Sequence, residues 1–239
     1  MKLDVLAFGA HPDDVELACG GTVVRLIKAG KKVGICDLTA GEMGTRGSPE
    51  IREREAAEAS RILGLHVRDN LGLPDGDIPL DAAARTGVIR LIRRYRPEIL
   101  LIPHWHERHP DHEHAHRLCR EAWFYAGLEK ITTTDDGLRQ SPHRPKRYFQ
   151  YMQTYEFQPS FVVDISAEYD QRMQAVFAYR SQVLNPASTE TPTLISSSGF
   201  LDLLRARFEY YGDRVGCRYG EPFLAEGLVG LPGLEVLLL

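Results

Sequence analysis

Two short stretches of the sequence carry side chains that together could hold a metal ion and move protons. They are Ala10-His11-Pro12-Asp13-Asp14 and, roughly a hundred residues on, Arg108-His109-Pro110-Asp111-His112. His11, Asp14 and His112 supply two imidazoles and one carboxylate, a set that suits catalytic zinc and leaves coordination positions for water or substrate. Iron(II) can occupy the same ligands. Asp13, next to a ligand, is placed to take a proton from an attacking water, and His109 to donate a hydrogen bond or proton opposite it. Asp111 is expected to orient His109, with capping of the helix that it begins as the plainer alternative. The combination points to metal-assisted hydrolysis. Two rivals use the same residues: oxygen chemistry at a non-haem iron, and a non-catalytic sugar-binding or metal-storage module.

A lone His-x-x-Asp is common in loops and helix caps, so the argument rests on the elements that position both motifs. Leu3 to Phe8 reads as a buried strand and Val15 to Lys28 as a helix; Val33 to Leu38 is a second strand, followed by a Gly-rich loop from Gly41 to Gly47. Ser48-Pro49-Glu50 opens a helix that Gly64 ends, with Ser48 able to cap and Pro49 suited to the first turn. Val67 to Leu71 is a third strand, Ala82 to Tyr95 a helix, Ile99 to Ile102 a fourth strand, and His112 to Tyr125 another helix. Strands alternating with helices call for right-handed crossovers and a Rossmann-like α/β fold, doubly wound around a mainly parallel sheet. In such a sheet the first and fourth strands are neighbours, and both motifs lie at their carboxyl ends, where ligands bind. The expected organisation is one domain over 1–239, with a core over about 1–127. The region 128–239 caps that core and extends its sheet through late strands at Tyr148 to Met152 and Phe161 to Asp164, followed by two helices.

Composition narrows the partners. With 43% hydrophobic and 26% charged residues the chain reads as a globular protein. A net charge of −4 with no basic block argues against nucleic acid, and no stretch suits a signal peptide or a membrane span, so a cytoplasmic protein is expected. Cys19, Cys36, Cys119 and Cys217 form no Cys-x-x-Cys pair and read as packing residues. Six of the nine histidines lie between positions 104 and 116. His114 and His116 are expected on a solvated helix face, and no spacing makes His104 or His106 a ligand. Arg52, a cation in a first helical turn where the macrodipole disfavours it, is a candidate for binding a substrate carboxylate; the alternative is an exposed arginine paired with Glu55. Arg108 either points at the pocket or makes a surface ion pair. Gly20-Gly21 sits within a helix and reads as close packing.

The paired motifs in an α/β frame resemble the LmbE-like (PIG-L) N-acetylglucosaminyl deacetylase family, over essentially the whole chain. That resemblance implies zinc on His11, Asp14 and His112, Asp13 as general base, and His109 with Asp111 stabilising the tetrahedral intermediate. It also implies a small N-acetylated amino sugar as partner and, more weakly, a homo-oligomer. Cys36-Asp37-Leu38-Thr39, Gly41-Glu42-Met43-Gly44, Leu71 to Gly76, Tyr179-Arg180-Ser181-Gln182 and Tyr219-Gly220-Glu221-Pro222-Phe223 are similar to bacillithiol-biosynthesis deacetylases. That branch implies N-acetylglucosaminyl-malate as the substrate.

Overall fold

Val5–Gly9 and Val33–Thr39 are buried along their whole length, which requires cover on both faces and so favours parallel strands joined by crossover helices. In the computed structural model, which describes residues 1–183 and 189–233, these runs are β1 and β2. The chain continues from β1 into α1 (Asp14–Lys28), and from β2 into α2 (Pro49–Leu63), β3 (Val67–Leu73), α3 (Ala82–Tyr95), β4 (Ile99–Pro103) and α4 (Pro110–Tyr125). A two-stranded hairpin follows, β5 (Thr134–Asp135) with β6 (Leu138–Arg139). Then come β7 (Arg147–Tyr151), β8 (Phe161–Asp164), α5 (Tyr169–Ala178), α6 (Ser198–Asp213) and β9 (Gly220–Leu224).

Seven strands form one sheet in the order β3-β2-β1-β4-β7-β9-β8. The first five are parallel, and β9 runs antiparallel to both β7 and β8. The strand order reverses between β1 and β4, as the doubly wound reading requires. One face is sealed by α3 and α4 through Val88, Ile92 and Leu118, the other by α1, α2 and α5 through Val15, Val23, Ala59 and Ala175. Each large aliphatic among these contributes about 1.5–3 kcal/mol by leaving water. The sheet does not stop near residue 127, because β7 pairs in register with β4, Ile99 opposite Arg147 and Pro103 opposite Tyr151. The strand at β9 had no counterpart in the sequence reading.

Helix α1 is broken. Cys19 has φ −144° and ψ 22°, outside the helical region. The amide and carbonyl groups exposed by the break are met by an ion pair from the far end of the chain. Glu221 accepts from the Gly21 and Thr22 N–H groups at 2.9 and 2.7 Å, and Arg172 donates to the Glu16 and Leu17 carbonyls at 3.0 and 2.5 Å. The two charges are 3.8 Å apart and both side chains are fully buried. Gly21 is required here, since a Cβ would lie 2.9 Å from Glu221 Oε1 and 2.8 Å from Ile165. Gly20-Gly21 therefore serves close packing, and Glu221 within the late Tyr219 to Phe223 segment caps the second half of α1. Breaking this pair leaves a buried charge uncompensated. Glu221→Ala and Arg172→Met should each destabilise the fold by about 3–5 kcal/mol in urea unfolding, while Arg172→Met with Glu221→Gln should cost less than either single change. Additive losses would show that the two charges act separately.

Candidate active site and metal centre

Parallel pairing sets Val5 opposite Ile99 and Ala7 opposite Leu101, so the carboxyl ends of β1 and β4 lie side by side. The loop after β1 is held from β2, where the N–H and hydroxyl of Thr39 both donate to the Ala10 carbonyl at 3.0 and 2.9 Å. The loop after β4 ends at His109, whose Nδ1 accepts the Asp111 N–H at 3.2 Å and so caps α4, with Pro110 in the first turn. These two anchors bring the motifs into one cavity of about 310 Å³.

Asp14 lies between two imidazoles, its Oδ1 3.2 Å from His112 Nε2 and its Oδ2 3.5 Å from His11 Nδ1. Ligand atoms of His11, Asp14 and His112 all lie within 4.8 Å of one another, and those of His11, His109 and Asp111 form a second such group. The first fits a divalent ion better. In the second, His11 Nε2 and Asp111 Oδ2 already face each other at 3.3 Å, and Asp111 also accepts from the Gly76 and Ile78 N–H groups at 2.7 and 3.3 Å. Burial works against charge on His11, yet hydrogen bonds that the ring donates to Asp111, Asp14 and Asp75 hold its pKa well above the usual value. Burial opposes charge on His112 too, and Asp14 outweighs it, pushing the pKa up to about 9. Asp14 is held well below the carboxylate range despite its burial, first by His112 and then by His11. A field that retains positive charge on two buried rings suits a cation, which would displace those protons on binding. His112 Nδ1 is buried with no hydrogen-bond partner, with the Glu107 carboxylate 4.0 Å away.

Asp13 is buried beside this set at φ 108° and ψ −25°, an unfavourable backbone for a residue with a Cβ. Burial raises its carboxyl to about 7, although the Arg52 guanidinium pulls the other way. Arg52 is only 5% exposed, so the exposed partner of Glu55 is not what forms; Glu55 instead accepts from the Ser181 N–H and hydroxyl. The guanidinium donates to the Pro12 carbonyl at 2.6 Å, the Gly41 carbonyl at 3.3 Å and Asp13 at 3.4 Å. Its donors thus serve the protein first, although it lines the cavity. Gly41, at φ 70°, leaves room for it, since a Cβ there would overlap the guanidinium.

The expectation that Asp111 orients His109 takes another form. The Asp111 carboxylate is engaged by His11, Gly76 and Ile78, and what reaches His109 is the Asp111 backbone N–H. Burial, then repulsion from His11 and His112, lowers the His109 pKa. A neutral ring whose Nδ1 accepts keeps its proton on Nε2, as a donor. His114 and His116 are corrected as well. His116 is buried and bonded to the Pro103 carbonyl, and His114 is half-buried against the Ile78 carbonyl, because that side of α4 packs on the end of β4 and on the loop before α3. His104 and His106 pack with Trp105, Tyr155 and Phe157, and none of these four histidines is among the cavity's lining residues. Arg108 is exposed and lines the cavity.

Sequence reasoning missed four members. Asp75 lies 2.9 Å from His11 Nε2, Gln153 donates to Asp14 Oδ1 at 2.8 Å, Glu107 stands behind His112, and Arg207 of α6 reaches the cavity wall. Asp75 sat within the Leu71 to Gly76 segment already singled out; the other three lack any distinguishing spacing.

A sequence model described as GlcNAc-PI de-N-acetylase (PIG-L) matches residues 6–123. The chain is 32% identical to the diacetylchitobiose deacetylase of Thermococcus kodakarensis, over 96% of this chain and 84% of that protein. The chain belongs to the PIG-L, or LmbE-like, family. Membership makes it an N-deacetylase, a hydrolase of an amide C–N bond. Among solved structures, the conserved protein TT1542 from Thermus thermophilus superposes with a TM-score of 0.85 at 42% identity, covering 96% of this chain and 98% of its own. The N,N'-diacetylchitobiose deacetylase from Pyrococcus horikoshii, complexed with an inhibitor, gives 0.79 at 28% identity over 92% and 82%. Among the described residues of this PIG-L family chain no helix is long and apolar enough to cross a membrane.

The backbone at Asp13 is a measurable cost of the site. Asp13→Gly should be more stable in urea unfolding than Asp13→Ala by about 1 kcal/mol or more, since both lose the carboxyl and its contact with Arg52 and only glycine relieves the strained φ. Equal or lower stability of the glycine variant would show that the surroundings do not strain this residue.

Proposed function

We propose that the chain hydrolyses the acetamide of an N-acetylglucosaminyl small molecule, with N-acetylglucosaminyl-malate as the substrate, and that His11, Asp14 and His112 hold a zinc ion, with iron(II) accepted by the same donors. The observation that carries this reading is the convergence, from two neighbouring strand ends, of those three side chains on a cavity that Asp13 and His109 also line. The names of relatives support the sugar: a diacetylchitobiose deacetylase, and the 1D-myo-inositol 2-acetamido-2-deoxy-alpha-D-glucopyranoside deacetylase of Thermomonospora curvata, 27% identical over 97% of this chain. Strands from both halves of the chain share one sheet, which supports a single deacetylase domain. A small polar substrate is in keeping with a cytoplasmic enzyme.

When bound, the ion supplies Lewis acidity toward the acetamide carbonyl and makes water more acidic. The chain's own residues do the rest. Asp13 accepts the proton of the attacking water, its carboxylate steadied by Arg52. His109 donates from Nε2 to the oxygen that gains charge as the tetrahedral intermediate forms, its ring fixed by the Asp111 N–H. The departing amine takes from Asp13 the proton that water gave up as the C–N bond breaks, leaving acetate and a free glucosaminyl amine. Asp75 and Asp111 hold the Nε2 edge of His11, which leaves Nδ1 toward Asp14 as the ligating atom.

Acetate release from N-acetylglucosaminyl-malate, compared with N-acetylglucosamine and a chelator-treated control, tests the whole reading. We expect metal-dependent release that strongly favours the malate compound. Asp13→Ala and His109→Ala should each lower kcat by about 10²–10⁴-fold while binding zinc as the parent does. Near-normal turnover in either variant would remove its assigned role, and oxygen consumption in place of acetate release would turn the reading toward iron chemistry.

A further inference from the structure

Arg207 makes no ion pair among the described residues. It lines the same cavity as Asp14 and His112, and its Nε is dehydrated without a hydrogen-bond partner. The half-buried side chain makes one long bond, from Nη2 to the Leu17 carbonyl at 3.5 Å, and its guanidinium carbon stands 5.1 Å from the Phe208 ring. Glu107 and Glu221 act on it only at longer range, and Arg172 repels it. A guanidinium offers five N–H donors, and a desolvated cation without an anion is costly. Arg172 on α5 makes the contrast, since its donors meet two carbonyls and Glu221 lies 3.8 Å from it.

A second guanidinium on the cavity wall is also free. Arg108, next to His109, has no side-chain hydrogen bond or ion pair among the described residues. Arg52, by comparison, is committed to Asp13 and two carbonyls. We propose that Arg207, together with Arg108, forms a subsite for an anionic substituent, a carboxylate or a phosphate, on the amino sugar whose acetamide is cleaved. The inference rests on the deacetylase reading above and moves its recognition of the anion from Arg52 to these two residues. Leu194 and Phe200 line the same cavity and offer apolar contact to the neutral part of the substituent.

The test compares three probes: N-acetylglucosaminyl-malate, N-acetylglucosamine 1-phosphate and the neutral methyl N-acetylglucosaminide. For Arg207→Met, and separately for Arg108→Met at its exposed position, the ratio of kcat/KM on an anionic probe to that on the neutral one should fall about ten- to a hundredfold. Arg207→Lys should recover part of that ratio. The anion that loses more identifies carboxylate or phosphate as the partner. An unchanged ratio in both Met variants, whatever the absolute rates, overturns the subsite. If the parent protein cleaves none of the probes, the deacetylase reading fails on its own. Calorimetric titration with free malate and inorganic phosphate then decides the subsite: saturable binding lost in Arg207→Met supports it, and no binding to the parent overturns it.

Discussion

The parallel adjacency of β1 and β4 is the constraint on which the site depends. It makes two loops, far apart in sequence, leave the sheet at the same edge and in the same direction. Neither loop carries a complete ligand set. His11 and Asp14 come from one and His112 from the other, so the chemistry exists only where the strand order reverses. Apolar packing on both faces of the sheet holds that edge rigid enough to bring charged groups together.

Crowding of charge is the price of this arrangement, and arginines relieve it. Asp13, Asp14, Glu16 and Asp37 are all buried close to the first turn of α1. Arg52 binds the Asp13 side, while Arg68 bridges Glu16 at 2.6 Å and Asp37 at 2.8 Å. The Tyr179 hydroxyl completes this layer by donating to Glu16 at 3.0 Å, and Gln182 donates to the Arg46 carbonyl at 2.8 Å. The Cys36 to Thr39 and Tyr179 to Gln182 segments thus share a physical purpose. They hold the helix start and the Gly-rich loop against which Asp13 is set.

The strands other than β5, β6 and β9, the helices and the meeting of the two motifs were legible in the sequence, because apolar periodicity and strand order are local signals with a topological rule behind them. Ser48 caps α2 as its position suggests, its hydroxyl accepting the Ile51 N–H at 3.3 Å. Residues recruited from loops and from α6 were not legible. Gln153 and Arg207 reach the cavity, and Glu107 stands behind His112, only through tertiary packing, and nothing in their spacing marks them. The histidines at 114 and 116 misled for the opposite reason. On a helix begun by a functional motif they look solvated, whereas the inner side of α4 presses His116 against the carbonyl at the end of β4 and His114 against that of Ile78 in the loop before α3. Arg52 drew attention for a sound electrostatic reason, but its buried partner is an acid of the same protein.

The break in α1 joins the beginning of the chain to its far end, through contacts 200 and 199 residues apart. During translation, His11 and Asp14 emerge well before Arg172, for which the carbonyls just beyond them wait, and before Glu221, for which the neighbouring amides wait. Contacts so distant form late and slowly, after much loop-closure entropy has been overcome. A nascent chain therefore holds its ligands in sequence long before it holds them in space, and the second half of the helix that Asp14 begins is capped only as the last strand of the sheet docks.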